Sequence, residues 1–312
     1  MKKKLNKKVI LLTGCAGFIG SQLLKKLVKK YYVIGIDDLS TGNKKNIISN
    51  KNFLFLKGNC GDCKVLNKLK KVKIDVIIHF AGQSSGEKSF YNPLNDFKRN
   101  LHSTINLLDF ASKYLCKQFI YASSMSVYGN YKKKVKEVNK KKPISFYGIS
   151  KSSAEEYIKK YKSKNVNFTI LRLFNIYGQG QKLGELKQGM IRIYLTQIFN
   201  KKKLIIKGSK NRYRDLLYIT DCINYLNKII LNKFAYDKII NIGSGKKYFI
   251  FNIVKILKKN IPFKFIVQYE KKTVDDQFGI IANNDQLKKI TNYYPKTDLN
   301  DGVKKMIKNL NY

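Results

Sequence analysis

Short continuous runs of apolar residues alternate with stretches of helical periodicity through the first half of the chain. Runs of this length, bounded by turn residues, predict strands that are buried on both faces, and the periodic stretches predict helices. The predicted strands are Val9–Thr13, Tyr32–Asp37, Phe53–Leu56, Asp75–Phe80, Gln118–Ser123 and Phe168–Leu173. The predicted helices run from the glycine-rich turn to Lys30, from Pro93 to Tyr114 and from Tyr147 to Tyr161. This alternation predicts an α/β fold with a doubly wound parallel sheet.

The pattern is looser beyond Asn175, where short helices and strands mix. The elements predicted there are the helices Asp221–Asn232 and Ile250–Lys259 and the strands Ile239–Ile242 and Phe263–Val267. We therefore predict a sheet domain over residues 1–174 and a smaller mixed α/β lobe over residues 175–312, with interleaved segments. The lysine-rich stretch Lys132–Lys142 is predicted to be a solvated surface loop.

The net charge is the most unusual property of the composition. Lys and Arg number 63 against 20 Asp and Glu, which gives a formal charge of +43. Such a charge is typical of proteins that bind nucleic acids or anionic membranes. Only five of the basic residues are Arg, the side chain that base recognition prefers, and the lysines are scattered along the chain. The excess of Lys, Asn, Ile, Phe and Tyr follows from AT-rich codons, so we expect no specific nucleic-acid partner.

Membrane insertion and metal binding are not expected either. No apolar run approaches the roughly 18–20 residues that span a bilayer. Five cysteines, an odd number without a secretory signature, are expected to be reduced thiols in a cytoplasmic protein. Cys60 and Cys63 have the spacing of half a zinc site, but no second pair and no nearby histidine accompany them.

A glycine-rich turn follows the first predicted strand and opens the first helix. Gly14, Gly17 and Gly20 allow the backbone to turn tightly and to approach a pyrophosphate at the positive end of the helix. The second strand ends at Asp37, whose carboxylate can accept hydrogen bonds from an adenosine ribose diol and would repel a 2′-phosphate. These residues predict NAD rather than NADP as the cofactor, with Asp38 as the less favoured candidate for the ribose contact.

Candidate catalytic residues lie at the end of the fifth strand and on the helix predicted after it. Ser124 follows the strand, and Tyr147 and Lys151 are four residues apart, which puts them on one face of a helix. A free tyrosine titrates near a pH of about 10. A neighbouring ammonium and a cationic nicotinamide both favour its phenolate, so Tyr147 is predicted to act as a base near neutral pH.

In this combination the chain resembles the extended short-chain dehydrogenase/reductases of the NAD-dependent nucleotide-sugar epimerase/dehydratase family, over nearly its whole length. The segments that carry the resemblance are Thr13–Gly20, Asp37–Gly42, His79–Gly82, Asn100–Leu108, Ser123–Gly129, Tyr147 with Lys151, Leu171–Gly178 and Arg214 with Asp215. The resemblance implies a Rossmann-type fold, an NAD that stays bound and a C-terminal lobe that binds the nucleotide sugar. It also implies a homodimer formed through the helices near residues 93–114 and 147–161.

The same resemblance assigns roles to individual residues. Ser124 takes the position of the catalytic serine, Tyr147 that of the base and Lys151 that of its partner. The residues implied to bind the cofactor are Gly14, Gly17, Phe18, Ile19, Gly20, Asp37, Asn59, Cys60, Ala81, Asn100, Tyr147 and Lys151. Those implied to bind the substrate are Ser84, Ser124, Asn175, Arg214 and Asp276, of which Asn175 and Arg214 correspond to contacts with the diphosphate. His79 is expected to be structural.

Three positions depart from the pattern of the family. Asn59 stands where many members have an Asp in the adenine-binding turn, and Ser84 stands where UDP-galactose 4-epimerases often have a Lys. Thr273 stands where a second diphosphate Arg is expected. These differences concern the identity of the substrate rather than the fold or the cofactor.

The residues after Ser124 bear on the reaction. The 4,6-dehydratases of the family carry an Asp-Glu pair there, and related decarboxylases usually place a Glu in this stretch, but this chain has Met125 and Ser126. We therefore expect C4 epimerisation of a UDP-hexose, as in UDP-glucose 4-epimerases, for cell-surface polysaccharide synthesis. The enzymatic alternatives are a CDP-sugar 2-epimerase and an NDP-4-keto-sugar reductase. An alternative of another class is a non-catalytic NAD-sensing or RNA-binding protein that uses the positive charge.

Overall fold

The computed structural model describes residues 7–181, 189–271 and 277–308, and a parallel sheet of seven strands lies at its centre. The strands of the described residues are β1 Val9–Thr13, β2 Tyr32–Asp37, β3 Phe53–Lys57, β4 Val76–His79, β5 Gln118–Ser124, β6 Phe168–Leu173, β7 Asn175–Tyr177, β8 Lys203–Lys207, β9 Tyr213–Arg214, β10 Leu216–Tyr218, β11 Lys238–Ile242, β12 Tyr248–Phe249 and β13 Ile266–Glu270. The order across the main sheet is β11-β6-β5-β4-β1-β2-β3.

The central strands bury both of their faces. In β1, Val9 and Leu11 belong to the apolar cluster on one side of the sheet, and Ile10 and Leu12 belong to the cluster on the other side. Side chains alternate between the faces of a strand, so a sheet covered on both sides needs a continuous apolar run rather than an alternating one. The predicted doubly wound α/β fold is confirmed.

Helices cover the two faces of the sheet. Those of the described residues are α1 Phe18–Leu27, α2 Cys63–Asn67, α3 Gly86–Tyr91, α4 Pro93–Phe97, α5 Ser103–Lys113, α6 Phe146–Lys160, α7 Met190–Lys201, α8 Ile219–Ile229, α9 Ile250–Asn260, α10 Asp285–Thr291 and α11 Leu299–Lys308. Within the described part of the chain, none of these helices is both long and apolar enough to cross a membrane.

The helix predicted from Pro93 to Tyr114 is not regular. A π-helical turn at Lys98–His102 separates α4 from α5. A π-turn inserts an extra residue into the helical ladder and thereby re-aims the side chains around it, often at functional sites. Periodicity alone did not reveal this interruption.

The smaller pairs of strands are β10 with β7, β12 with β9 and β13 with β8. The strand predicted over Phe263–Val267 begins instead at Ile266, which pairs with Lys203, and it continues to Glu270. β11 joins the main sheet beside β6, so this sheet takes its last strand from beyond residue 174. Lys132–Lys142 is a loop, in which Val135 forms an isolated bridge to Ala282.

The topology determines where a ligand can bind. β1 pairs with β2 on one side and with β4 on the other, so the connections leave β1 and β4 in opposite directions. In open α/β sheets such a switch point opens a crevice at the carboxyl ends of the strands. The loops that follow β1, β2, β4 and β5 border this crevice.

Candidate active site

The turn after β1 brings three segments of backbone close together. Gly14 has a φ of +71°, and a Cβ on it would lie 2.7 Å from the amide nitrogen of Ala81. A Cβ on Gly20 would collide with the carbonyl oxygen of Gly14. Among the described residues, no side chain caps the N-terminus of α1, and its first turn holds no acidic residue. The free amides and the positive end of α1 suit a phosphate.

A first cavity lies beside this turn. Its lining includes Gly14, Gly17, Asp37, Asp38, Ser40, Gly58, Asn59, Cys60, Ala81 and Arg99. The carboxylate of Asp37 is fixed there, because it accepts hydrogen bonds from the backbone amides of Ala16 (2.9 Å) and Leu39 (2.8 Å). Burial raises the pKa of Asp37, and the two amide donors act in the opposite direction. The cavity thus gathers six of the residues predicted to bind the cofactor.

A second cavity, of about 460 Å³, shares Gly14 and Gly17 with the first. This volume is typical of sites for small molecules, which occupy roughly 300–1,000 Å³. Residues predicted for the cofactor, the substrate and catalysis meet in its lining, which includes Phe18, Ile19, Gly20, Ser84, Ser124, Tyr147, Lys151 and Asn175. The two cavities together run from the end of β2 to the end of β5.

The predicted catalytic residues face the second cavity from two elements. Ser124 is the last residue of β5, and Tyr147 and Lys151 are one turn apart on α6. The Lys151 ammonium donates a hydrogen bond to the carbonyl oxygen of Ala122 (2.8 Å) and lies 6.0 Å from the ring centroid of Tyr147. The backbone amide of Tyr147 donates to the hydroxyl of Ser89 (3.0 Å), which helps to fix the start of α6.

Burial dominates the electrostatics of this group. It raises the pKa of Tyr147 to about 12, although a hydrogen bond with Ser124 lowers it. It lowers the pKa of Lys151 to about 8, against the attraction of Asp96 and Glu155. Burial of the ring therefore opposes the phenolate, and the role of Tyr147 as a base near neutral pH stays a prediction. A cationic nicotinamide ring would act in the favourable direction.

Comparison with known proteins identifies the family. The model of the NAD dependent epimerase/dehydratase family matches residues 10–243, three quarters of the chain. The chain belongs to this family. A Methanocaldococcus jannaschii protein provisionally named UDP-glucose 4-epimerase is 35% identical over 305 residues, which cover 96% of this chain and 97% of that protein.

Solved structures of the family have the same fold. The UDP-glucose 4-epimerase of Thermotoga maritima with UDP-glucose aligns with a TM-score of 0.90 at 29% identity, covering 96% of this chain and 97% of that one. The UDP-glucuronic acid 4-epimerase of Bacillus cereus with UDP-glucuronic acid and NAD aligns with a TM-score of 0.88 at 28% identity, covering 96% and 98%. The predicted family and the predicted cofactor, NAD, are confirmed.

The residues of this epimerase/dehydratase family member fit NAD. A Cβ would fill the backbone cradle at Gly14 and Gly20, where the pyrophosphate of a dinucleotide approaches the chain. The buried carboxylate of Asp37 stands in the adjoining cavity, as a ribose diol requires. Tyr147 and Lys151 border the other end, where the nicotinamide would supply its capacity to accept and return a hydride.

Two predicted residues, Asn100 and Arg214, lie outside the cavities. Asn100 does not line either cavity within the described residues. Asn100 is buried beside Gly82, which lines both cavities, and its amide donates to Asp96 (3.1 Å) and to Ser150 (3.2 Å). Arg214 also lies outside both linings. Its guanidinium donates to the carbonyl of Phe278 (3.2 Å), and burial, with the charge of Arg212, lowers its pKa to about 10. Asp276, like Thr273, lies outside the described residues.

The sequence analysis did not predict a buried ion pair that lies next to the candidate active site. The carboxylate of Glu155 accepts two hydrogen bonds from Arg172 (2.9 and 2.7 Å) and one from the hydroxyl of Ser123 (2.6 Å). Glu155 lies one turn after Lys151 on α6, and Ser123 precedes Ser124 on β5. The ion pair joins α6 to β6, and the bond from Ser123 joins α6 to β5, so Glu155 links the two elements that carry the predicted catalytic residues. The spacing of Glu155 from Lys151 was the available signal.

His79 has the structural environment that was predicted for it. Its Nδ1 lies 2.8 Å from the Thr13 hydroxyl and its Nε2 lies 3.1 Å from the Thr104 hydroxyl. Burial, with the charge of Lys151, lowers the pKa of His79 to about 3, so the ring is neutral. A neutral imidazole with both nitrogens engaged ties β4 to β1 and α5 rather than moving protons.

Proposed function

We propose that the protein interconverts the C4 epimers of a UDP-hexose. The observation that carries this proposal is the pair Met125 and Ser126, which line the cavity directly after Ser124. Elimination of water across C5 and C6 needs an additional acid and base, and neither of these side chains can supply them. Hydride and proton transfer at one carbon needs only the groups that remain in the cavity.

Each predicted catalytic residue has a separate role at the sugar. Tyr147, as its phenolate, takes the proton of the 4-hydroxyl group, and Ser124 donates a hydrogen bond to the same oxygen. The nicotinamide of a bound NAD would supply the capacity to accept a hydride from C4 and to return it to the opposite face of the ring. Lys151 stabilises the phenolate by its charge, and its bond to Ala122 keeps the ammonium in place. Burial raises the pKa of Tyr147, and a positive charge beside its ring acts in the opposite direction.

The comparisons support a UDP-sugar as the substrate. The Thermotoga maritima structure contains UDP-glucose, and the Bacillus cereus structure contains UDP-glucuronic acid. The lining of this cavity offers neutral hydrogen-bonding groups for sugar hydroxyls, among them Gln83, Ser84 and Ser126. A neutral hexose suits these groups, and we propose the glucose or N-acetylglucosamine series.

Two exposed apolar surfaces support a homodimer. Phe90, Leu94 and Phe97 on α3 and α4 are 44%, 61% and 46% exposed. Ile149 and Tyr157 on α6 are also exposed. Exposed apolar residues on adjacent helices mark protein interfaces. The resemblance implied a dimer through the helices near residues 93–114 and 147–161, which include α4 and α6 but not α3. We propose that a second copy covers them, which sedimentation equilibrium tests directly.

The test of the proposed reaction follows products by NMR. The purified protein is incubated with UDP-glucose, UDP-N-acetylglucosamine and CDP-activated sugars, and we expect the C4 epimer of a UDP-sugar to accumulate to equilibrium. Tyr147→Phe keeps the ring but removes the base, so turnover should fall by roughly 10²–10⁴. Tyr294→Phe, whose side chain is 60% exposed and lies outside both cavities, is the control and should keep full activity. A C2 epimer, or an active Tyr147→Phe variant, would refute the assignment.

A further inference from the structure

An arginine stands in the adenosine end of the NAD site, where sequence reasoning placed no basic residue. Arg99 lines the first cavity together with Asp37, Gly58 and Asn59. It belongs to the π-helical turn Lys98–His102, in the connection between β4 and β5. The guanidinium therefore faces the loop after β2 across the cavity, although the two are far apart in the chain.

Two side chains of that loop hold the guanidinium. Its Nη1 lies 3.1 Å from the carboxylate of Asp38 and 2.9 Å from the hydroxyl of Ser40. Ser40 in turn donates to Asp38 through its hydroxyl (2.6 Å) and its backbone amide (2.9 Å). On the helical side, Nε of Arg99 donates to the amide oxygen of Asn95 (3.1 Å). The guanidinium is thus fixed from both sides of the cavity.

The loop itself is built to hold this arrangement. Leu39, between the two aspartates and Ser40, has a φ of +62°, which a branched side chain rarely adopts. Its amide is bonded to the carboxylate of Asp37 (2.8 Å). Burial acts to raise the pKa of Asp38, but the bonds from Ser40 and the charge of Arg99 lower it below its ordinary value. Asp38 therefore remains an ionised partner for Arg99 at neutral pH.

This arrangement bears on the choice between NAD and NADP. Arginine is the side chain that binds the 2′-phosphate of NADP in dinucleotide-binding folds, through planar, paired hydrogen bonds. Arg99 stands in the cavity that holds the ribose carboxylate, yet Asp38 and Ser40 engage it. The side chains of this ion pair are 34% and 30% exposed, and such a pair adds little to the stability of the fold. Stability therefore does not explain why the pair lies in the cavity.

We propose that Arg99 is a cofactor-selecting residue, which Asp38 and Ser40 hold away from a 2′-phosphate so that the site stays specific for NAD. Asp37 excludes the phosphate by its own charge, and Asp38 excludes it by occupying the one guanidinium that lines this cavity among the described residues. Release of Arg99 from Asp38 then admits NADP even though Asp37 is retained.

The test measures which dinucleotide the protein holds. Purified holoenzyme is incubated with equal excesses of NAD and NADP until exchange is complete, freed of unbound nucleotide and denatured, and the released NAD:NADP ratio is determined by chromatography. Asp38→Asn keeps an acceptor for Ser40 but removes the charge that holds Arg99. We expect the ratio to fall at least about tenfold, the effect of one charge-assisted hydrogen bond to phosphate.

Two further variants make the result decisive. Arg99→Met in the Asp38→Asn background should return the ratio toward that of the parent, because the phosphate then has no guanidinium to bind. Asp62→Asn removes the carboxylate that caps α2, two residues after Cys60 of the cavity lining, and it should leave the ratio unchanged. Should Asp38→Asn misfold, Ser40→Ala removes the second partner of Arg99 and should lower the ratio in the same direction.

The proposal is overturned if a folded Asp38→Asn protein has the ratio of the parent. It is also overturned if the double variant behaves like Asp38→Asn, since loss of negative charge alone would then explain the change. A shift of equal size in Asp62→Asn would have the same meaning. The readout is bound nucleotide, so these outcomes do not depend on which sugar the enzyme acts on.

Discussion

Removal of the charge of Glu155 should destabilise the protein far more than the same change at the next residue. Glu155→Gln preserves the size of the side chain, but it replaces one carboxylate oxygen with an amide group that cannot accept a hydrogen bond. The side chains of Glu155 and Arg172 are 0% and 3% exposed. Arg172 would be left in a dry environment without its counter-ion, and a guanidinium does not lose its proton in proteins, so the charge would stay unpaired.

The magnitude follows from the burial of the pair. Loss of one partner of a buried ion pair costs about 3–5 kcal/mol, because the other charge stays desolvated and unpaired. Ser123 and Lys141 also contact the carboxylate, at 2.6 and 3.4 Å, and the first of these bonds is weakened. At about 2 °C for each kcal/mol in a chain of this size, the midpoint of thermal unfolding should fall by roughly 6–10 °C.

Glu156→Gln is the matched control. Glu156 is the next residue on α6, its side chain is 54% exposed, and it pairs with Lys141 and Lys159 at 2.5 Å. Exposed pairs contribute about 0–1 kcal/mol, so this variant should unfold close to the parent. Urea unfolding followed by circular dichroism, at one fixed NAD concentration, measures the free energies, because a bound ligand itself stabilises the folded state.

Two results would refute this reasoning. A loss of less than about 1 kcal/mol in Glu155→Gln would mean that water or another group compensates Arg172. A double variant, Glu155→Leu with Arg172→Met, removes both charges and should recover much of the lost stability. If it were no more stable than Glu155→Gln alone, the unpaired charge would not be the cause.

Two further predictions concern ligand binding and pH. Arg214 lies outside both cavities, but the resemblance implies that it contacts the diphosphate. On that premise Arg214→Lys should weaken sugar-nucleotide binding by about 1.5–3 kcal/mol without changing the NAD content, because Lys lacks the paired geometry of Arg, whereas Lys271→Ala should cost less. Calorimetric titration with UDP and CDP measures both, and equal binding by Arg214→Lys would mean that the diphosphate binds elsewhere. Burial lowers the pKa of Lys151 to about 8, so turnover should decline as the pH rises through 8 and the ammonium loses its proton. Lys151→Arg keeps its charge and should shift that decline to higher pH in a pH–rate profile, and an unmoved profile would assign the decline to another group.

Local patterns were sufficient for most of the fold. The main-sheet strands are continuous apolar runs because both of their faces are covered, and this signal needs no knowledge of the partner strands. The π-turn at Lys98–His102 has no such signal, since it depends on how α4 and α5 pack around it. The start of β13 was misplaced for a similar reason, because its register with β8 determines which residues form the strand.

In the candidate site, too, residues in local motifs were predicted and contacts between distant segments were not. Some site residues belong to short motifs that a local reading of the sequence can find. These residues are Gly14, Asp37, Tyr147 and Lys151, and all of them line the two adjoining cavities. The contact between Arg99 and Asp38 joins residues 61 positions apart, which no local pattern records. The raised pKa of Tyr147 was also not predictable, because spacing reveals the neighbouring ammonium but not the depth of burial that opposes it.

The place of β11 at the edge of the main sheet has a consequence for synthesis on the ribosome. β6 emerges first, and its outer hydrogen-bonding edge stays open until Lys238–Ile242 has left the exit tunnel and paired with it. An unpaired strand edge is a template for other chains. Asp237 arrives with β11 and contributes an ion pair to Lys162 (2.7 Å) that helps to close this edge. The nascent chain therefore carries an open strand edge between these two moments, and a chaperone that covers this edge would act in that interval.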